Sequence, residues 1–141
     1  MKLLPIALAL LVAGTAHAQN WLTDHAAAVR AAQEQKKPLL MFFTGSDWCS
    51  WCKKLNAEVL STQEFQAYAN TKLILMEVDF PRGKPQPKEL QEQNNKLQEQ
   101  YQIEGYPTVI IVDADGKPKG SLGYKAGGPK AWLAEVDKII K

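Results

Sequence analysis

The chain has 141 residues, is 45% hydrophobic and carries a formal net charge of +2 at pH 7. This length suits one domain with its own core, and the near balance of charge argues against nucleic acid as the main partner. The chain has only 2 cysteines, and because they are three positions apart they would close almost no loop, which argues against a disulfide-stapled scaffold.

The first eighteen residues have the pattern of a secretory signal peptide. Lys2 gives a positive start, residues 3–13 form an apolar stretch, and Ala16-His17-Ala18 supplies a small-x-small end. The apolar stretch is shorter than the roughly 20 residues that span a bilayer. We therefore predict a signal peptide at 1–18, a mature domain at 19–141 and an exported protein, with an uncleaved N-terminal anchor as the alternative.

Helical and strand patterns alternate along the mature segment. Continuous apolar runs indicate buried strands, and apolar residues at helical spacing indicate helices. In chain order the predicted elements are a helix at 21–35, a strand at 39–43, a helix at 53–60, a short helix capped by Ser61 or Thr62 that ends at Asn70, a strand at 72–79, a helix at 89–101, strands at 109–112 and 118–122, and a last helix opened by Pro129. Glu64 is placed to complete a capping box if Ser61 is the cap.

The connections between the strands predict how they pair. The strands at 39–43 and 72–79 are separated by helices, which implies a crossover and parallel pairing. The Asp-Gly signal in Asp113–Lys117 indicates a hairpin, so the last two strands pair antiparallel. The economical fold is α/β, with a mixed sheet of about four strands and helices on both faces.

Cys49 and Cys52 stand where the first strand passes into a helix. Unpaired N–H groups and the positive end of the helix dipole favour a thiolate over a thiol at such a position. The alternatives are an inert disulfide or half a zinc site. A zinc site needs about four ligands, and the mature chain offers one histidine, His25, and no third cysteine, so no metal site is predicted.

Two separated motifs resemble the thioredoxin superfamily. One is Trp48-Cys49-x-x-Cys52-Lys53 after the first strand, and the other is Gly105-Tyr106-Pro107-Thr108 before the third. With the exported start, Gly45–Cys52 is also similar to periplasmic thioredoxin-like proteins, which are related to the outer domains of membrane thiol:disulfide interchange proteins. The resemblance implies a thioredoxin fold, a periplasmic location and no separate cofactor.

The same resemblance assigns roles to single residues. Cys49 would be the attacking thiol and Cys52 the resolving thiol. Pro107 would be a cis-proline facing the pair, and the backbone of Tyr106 would bind an extended substrate segment. A reductase of this kind would be recharged by a membrane-bound electron donor.

Two positions depart from the thioredoxin pattern. Ser50-Trp51 replaces the usual Gly-Pro between the cysteines, so the reducing strength of thioredoxin cannot be carried over. Phe43 stands six residues before Cys49, where thioredoxins bury an aspartate that assists proton transfer. Glu77 and Asp47 are the candidates to replace that aspartate.

Side chains around the cysteines can contact substrate. We expect Trp48 to pack beside the turn with partial contact, and Trp51 to be exposed, where it either touches substrate or stays free. The proline-rich basic segment 81–88 is interpreted as a solvated connector, with steering of an acidic partner as the alternative.

Taken together, the sequence predicts an exported thiol-disulfide oxidoreductase that acts as a monomer on protein disulfides and dithiols, reducing or exchanging disulfides in envelope proteins. The alternatives are a disulfide-introducing oxidase or isomerase, and a copper-binding metallochaperone on the same fold.

Overall fold

A computed structural model describes residues 20–141, in which a five-stranded sheet carries helices on both faces. The predicted signal peptide lies outside the described residues. The elements are β1 (Trp21–Leu22), α1 (His25–Gln35), β2 (Leu39–Thr44), α2 (Ser50–Leu55), α3 (Gln63–Lys72), β3 (Ile74–Asp79), α4 (Lys88–Gln100), β4 (Thr108–Val112), β5 (Pro118–Leu122) and α5 (Gly128–Ile140). A π-helical segment, Asn56–Leu60, continues α2.

The strand order is β1-β3-β2-β4-β5, so β2 lies in the middle of the sheet. It pairs parallel with β3 and antiparallel with β4, and β4 pairs antiparallel with β5. The predicted mixed α/β sheet is confirmed. The strand that leads into the cysteine turn is therefore hydrogen-bonded on both sides.

The beginning of the domain differs from the prediction. Trp21 and Leu22, placed in the first helix by the sequence pattern, form β1 and pair parallel with β3. The helix begins at His25, because Asp24 has extended backbone geometry and its carboxylate accepts a hydrogen bond from the Ala27 N–H at 2.9 Å. The sheet consequently has five strands, where the sequence predicted about four.

Alternation along β2 divides the core into two layers. Leu40 and Phe42 pack with Trp132 and other side chains of the layer that holds the cysteines. Met41 and Phe43 point to the opposite face, among side chains from α1 and α4. Burying each large apolar side chain contributes about 1.5–3 kcal/mol, so both layers stabilise the strand that carries the site.

The start of α3 resolves the choice between two capping residues. Thr62 is the N-cap: its Oγ1 accepts a hydrogen bond from the Phe65 N–H at 3.2 Å and donates to the Val59 carbonyl at 2.6 Å. Ser61 instead hydrogen-bonds the Asn56 side chain, so the capping box centred on Ser61 does not form.

Candidate active site

The cysteine turn begins at Gly45, whose carbonyl accepts hydrogen bonds from the Trp48 and Cys49 N–H groups at 3.2 and 2.9 Å. Cys49 is the N-cap of α2, and its sulfur accepts a hydrogen bond from the Cys52 N–H at 3.2 Å. The two cysteines form a disulfide with their Cα atoms 5.2 Å apart. Cys49 is 7% exposed and Cys52 is 2% exposed, so Cys49 is the more accessible of the two cysteines.

Trp48 is packed on three sides beside this turn. Its indole N–H donates to the Phe80 carbonyl at 2.8 Å, and its ring meets the Tyr106 ring edge-on at a centroid distance of 5.7 Å. A Cβ atom built on Gly45 would lie 2.2 Å from the indole ring, so only glycine leaves room for it. The expected packing role of Trp48 is therefore present in the structure.

Trp51 stands between the two cysteines in the sequence and is 54% exposed, the one large apolar side chain so exposed within residues 20–141. Its ring lies 5.0 Å from the Tyr124 ring, and the Lys54 ammonium lies 5.0 Å from its centroid. The Tyr124 hydroxyl donates to the Glu58 carboxylate at 2.6 Å. Trp51 is thus an exposed aromatic surface whose neighbours hold it next to the disulfide.

Tyr106 and Pro107 reach the same edge of the sheet as the cysteine turn. Thr108 is opposite Phe43 in the antiparallel pairing of β4 with β2, which places the preceding residues beside the end of β2. The Tyr106–Pro107 peptide bond is cis, as the family resemblance implied. The Tyr106 ring packs between Trp48 and Phe80, with centroid distances of 5.7 and 5.5 Å.

A cavity of about 510 Å³ lies beside Cys52 and is also lined by Phe42 and Glu77, among others. Burial raises the pKa of the Glu77 carboxyl, the nearby Asp79 carboxylate adds to this increase, and the Lys84 ammonium opposes it. Glu77 is opposite Phe42 in the pairing of β3 with β2. Of the two candidates for the proton acceptor, Glu77 therefore lines the Cys52 cavity.

The other candidate, Asp47, does not line this cavity. Its carboxylate accepts hydrogen bonds from the backbone N–H groups of Arg82 at 3.0 Å and Gly83 at 2.6 Å, and these bonds lower its pKa. The position six residues before Cys49, where thioredoxins bury an aspartate, is Phe43, but its side chain points to the opposite face of the sheet. Phe42 is the residue that lines the cavity instead.

The basic segment 81–88 is anchored to the cysteine turn. Besides the two bonds to Asp47, the Arg82 guanidinium lies 3.6 Å from the Trp48 ring centroid. Lys84 forms an ion pair with Asp79 at 3.6 Å, and Asp79 also accepts hydrogen bonds from the Ser46 N–H and hydroxyl at 2.9 and 2.5 Å. The segment therefore packs against the cysteine turn and does not only connect two elements. The sequence did not predict these contacts, because no local pattern indicates them.

Two further structural observations concern metals and membranes. Within residues 20–141, no group of three or more histidine, cysteine, aspartate or glutamate side chains is placed to hold a metal ion. In that part of the chain, no helix combines the length and apolar character needed to cross a bilayer.

Comparison with known proteins places this geometry in a family. A model of the thioredoxin-like family matches residues 20–114. The chain belongs to the thioredoxin-like family. It is 38% identical over 118 residues to the disulfide bond reductase DsbH of Chlamydia pneumoniae, an alignment that covers 84% of this chain and 71% of DsbH. It is 31% identical over 128 residues to the thioredoxin-related protein DsbJ of the same organism, covering 86% of this chain and 37% of DsbJ.

Solved structures of thioredoxin-like proteins have the same fold. A DsbH oxidoreductase superposes with a TM-score of 0.84 at 33% identity, covering 99% of this chain and 94% of that one. The oxidised C-terminal domain of Neisseria meningitidis DsbD superposes with a TM-score of 0.61 at 23% identity, covering 85% and 99% of the two chains. Together with the Cys49–Cys52 disulfide, the sequence relationship to DsbH confirms the predicted thiol-disulfide oxidoreductase.

Proposed function

We propose that this thioredoxin-like protein works as a reductase of disulfides in exported proteins, with Cys49 as the attacking thiol. The observation that carries the assignment is the position of Cys49 at the start of α2, with more exposure than Cys52. A thiolate is favoured at a helix start, where N–H groups such as that of Cys52 point at the sulfur.

The proposed reaction has two exchange steps. The Cys49 thiolate attacks one sulfur of the substrate disulfide, forming a mixed disulfide and releasing the other substrate sulfur as a thiolate. The Cys52 thiol then loses its proton and attacks the Cys49 sulfur, which releases the second substrate thiolate. The protein ends with the Cys49–Cys52 disulfide seen in the structure, and the two substrate thiolates take up protons.

Glu77 is the proposed acceptor of the Cys52 proton. It lines the same cavity as Cys52, and its raised pKa brings the carboxyl closer to that of a thiol, which favours proton transfer between them. The cavity holds about 510 Å³, enough for water to connect the two groups. Glu77 would return the proton when the disulfide is reduced again.

The substrate is proposed to bind in the space between the two aromatic surfaces of the site. The exposed Trp51 ring would offer apolar contact, and the backbone of Tyr106, next to the cis-proline Pro107, would hydrogen-bond an extended segment. Trp48 contributes part of the wall through its contact with Tyr106. The enzyme would act as a monomer.

Export and recharging are part of the same proposal. The signal-peptide pattern at 1–18 would direct the domain to the periplasm. A membrane-bound electron donor would then supply the two electrons that reduce the Cys49–Cys52 disulfide. The similarity to DsbH, a disulfide bond reductase, supports reduction over the introduction of disulfides.

The test is to replace Cys52 by Ala in the mature protein and incubate it with an oxidised envelope extract. We expect mixed disulfides on Cys49 that reducing agent releases. The matched variant, Cys49→Ala, retains the more buried cysteine and should capture little. Capture by neither variant would contradict exchange through Cys49, and a reduction potential as oxidising as about −120 mV would contradict a reductase.

A further inference from the structure

Arg82 carries a guanidinium group whose N–H donors have no acidic partner in the described part of the chain. Within residues 20–141 its side chain forms no ion pair and no hydrogen bond, and the residue is exposed. Its guanidinium carbon lies 3.6 Å from the centroid of the Trp48 ring. Lys84, two residues on, is instead paired with Asp79.

The backbone of the segment holds this guanidinium in place. The Asp47 carboxylate accepts hydrogen bonds from the backbone N–H groups of both Arg82 and Gly83, at 3.0 and 2.6 Å. The indole N–H of Trp48 donates to the carbonyl of Phe80, the residue immediately before this segment. Arg82 is therefore fixed on the residue that directly precedes Cys49.

Two acidic groups that contact this segment, Asp47 and Asp79, already have partners. Asp47 is occupied by the two backbone N–H groups, and Asp79 is bound by Ser46 and Lys84. The Lys53 ammonium lies 3.5 Å from the Asp47 carbonyl and adds positive charge at the helix start. This side of the cysteine turn thus carries three cations, Arg82, Lys84 and Lys53, against the two hydrogen-bonded carboxylates of Asp47 and Asp79.

We propose that Arg82 is a specificity residue that binds an aspartate or glutamate flanking the disulfide of the protein substrate. The guanidinium carbon lies 3.6 Å from the Trp48 ring centroid, and stacking at this distance would leave the guanidinium edge free for two parallel N–H···O bonds to a carboxylate. This inference rests on the proposed function, because it names the substrate class of the same site. Arg82 would thereby favour protein disulfides that have an aspartate or glutamate beside them.

The first test uses three synthetic peptides with one disulfide each, identical except for flanking aspartates, serines or lysines. Fully reduced protein is mixed with each peptide, and the rate of reduction is measured in a single turnover at fixed ionic strength. The aspartate peptide should react about two- to fivefold faster than the serine peptide, as expected for one exposed charge pair. The lysine peptide should react more slowly than the serine peptide.

Variants separate Arg82 from general charge effects. Arg82→Gln should bring the rate for the aspartate peptide down to that for the serine peptide, while Arg82→Lys should keep part of the preference. Arg30→Gln, on the exposed surface of α1, removes the same charge elsewhere and should keep the full preference. Equal rates for all three peptides with the unmodified protein would overturn the specificity alone, whereas reduction of none would overturn the proposed function.

Asp47→Ala distinguishes positioning from long-range electrostatics, because the two predict opposite changes. Removing a negative charge near the site would by itself increase the preference for the aspartate peptide. Loss of the carboxylate also frees the backbone of Arg82 and Gly83, which should decrease the preference. A decreased ratio supports the proposal, and an unchanged or increased ratio overturns the positioning role of Asp47.

Discussion

Replacing Gly45 by Ala tests whether Trp48 is packed over the start of the cysteine turn. The added Cβ would lie 2.2 Å from the nearest indole carbon, far inside the 3.4 Å at which ordinary contact begins, and two more ring atoms would lie within 2.6 Å. The backbone of Gly45 is not in the left-handed region, so the cost comes from this clash. The indole ring must move.

The expected loss in the free energy of unfolding follows from the contacts that Trp48 loses. Overpacking of this kind costs about 1–3 kcal/mol. Displacement of the ring also breaks the hydrogen bond from the indole N–H to the Phe80 carbonyl, worth about 1 kcal/mol. We therefore expect Gly45→Ala to lower the free energy of unfolding by about 2–4 kcal/mol.

The assay is urea unfolding of the oxidised protein, followed by far-UV circular dichroism, with near-UV dichroism reporting the tryptophan environment. Gly105→Ala is the matched control, since a Cβ there meets nothing within 4 Å, and it should change stability by about 0.5 kcal/mol or less. In a Trp48→Ala background the cost of Gly45→Ala should largely disappear. Wild-type stability and an unchanged near-UV spectrum for Gly45→Ala would refute the packing described for Trp48.

Three other changes give separable outcomes. The pKa of Glu77 is raised in the folded state, so the stability that its neutral form contributes is present below the unfolded pKa and is lost as pH rises through the folded pKa. Urea unfolding should therefore show that E77Q is more stable than the wild type at pH 7 but not at pH 3. Tyr68→Phe removes the hydroxyl that donates to Asp137 at 2.5 Å and should cost about 1–2 kcal/mol in thermal unfolding, whereas no loss would show that water replaces the bond. Thr62→Ala should cost about 1 kcal/mol and Ser61→Ala much less, and the reverse order would restore the capping box that the sequence suggested.

The sequence predicted those parts of the fold that have a local cause. The apolar run of β2, the hairpin signal before β5 and the cysteines at the helix start each depend on neighbouring residues, and all three are present. The strand at Trp21–Leu22 has no such signal, because two residues show no period and become a strand only by pairing with β3.

The details of the site depend on contacts between distant residues. Asp47 and Glu77 were equal candidates in the sequence, and only the pairing of β2 with β3 shows that Glu77 lies opposite Phe42, a wall of the cavity. Arg82 is 33 positions from Cys49 in the chain, and its place over Trp48 follows from the way its segment folds back onto Asp47. No spacing of residues along the sequence predicts such a contact.

The central place of β2 has a consequence for how the domain responds to heat. Since neighbours flank this strand on both sides, its amide protons should exchange with deuterium only when the whole domain opens, whereas β1 and β5 at the margins should exchange through small local fluctuations. On heating, the edge strands should therefore open first, while β2 and the Cys49–Cys52 disulfide that follows it keep their native geometry.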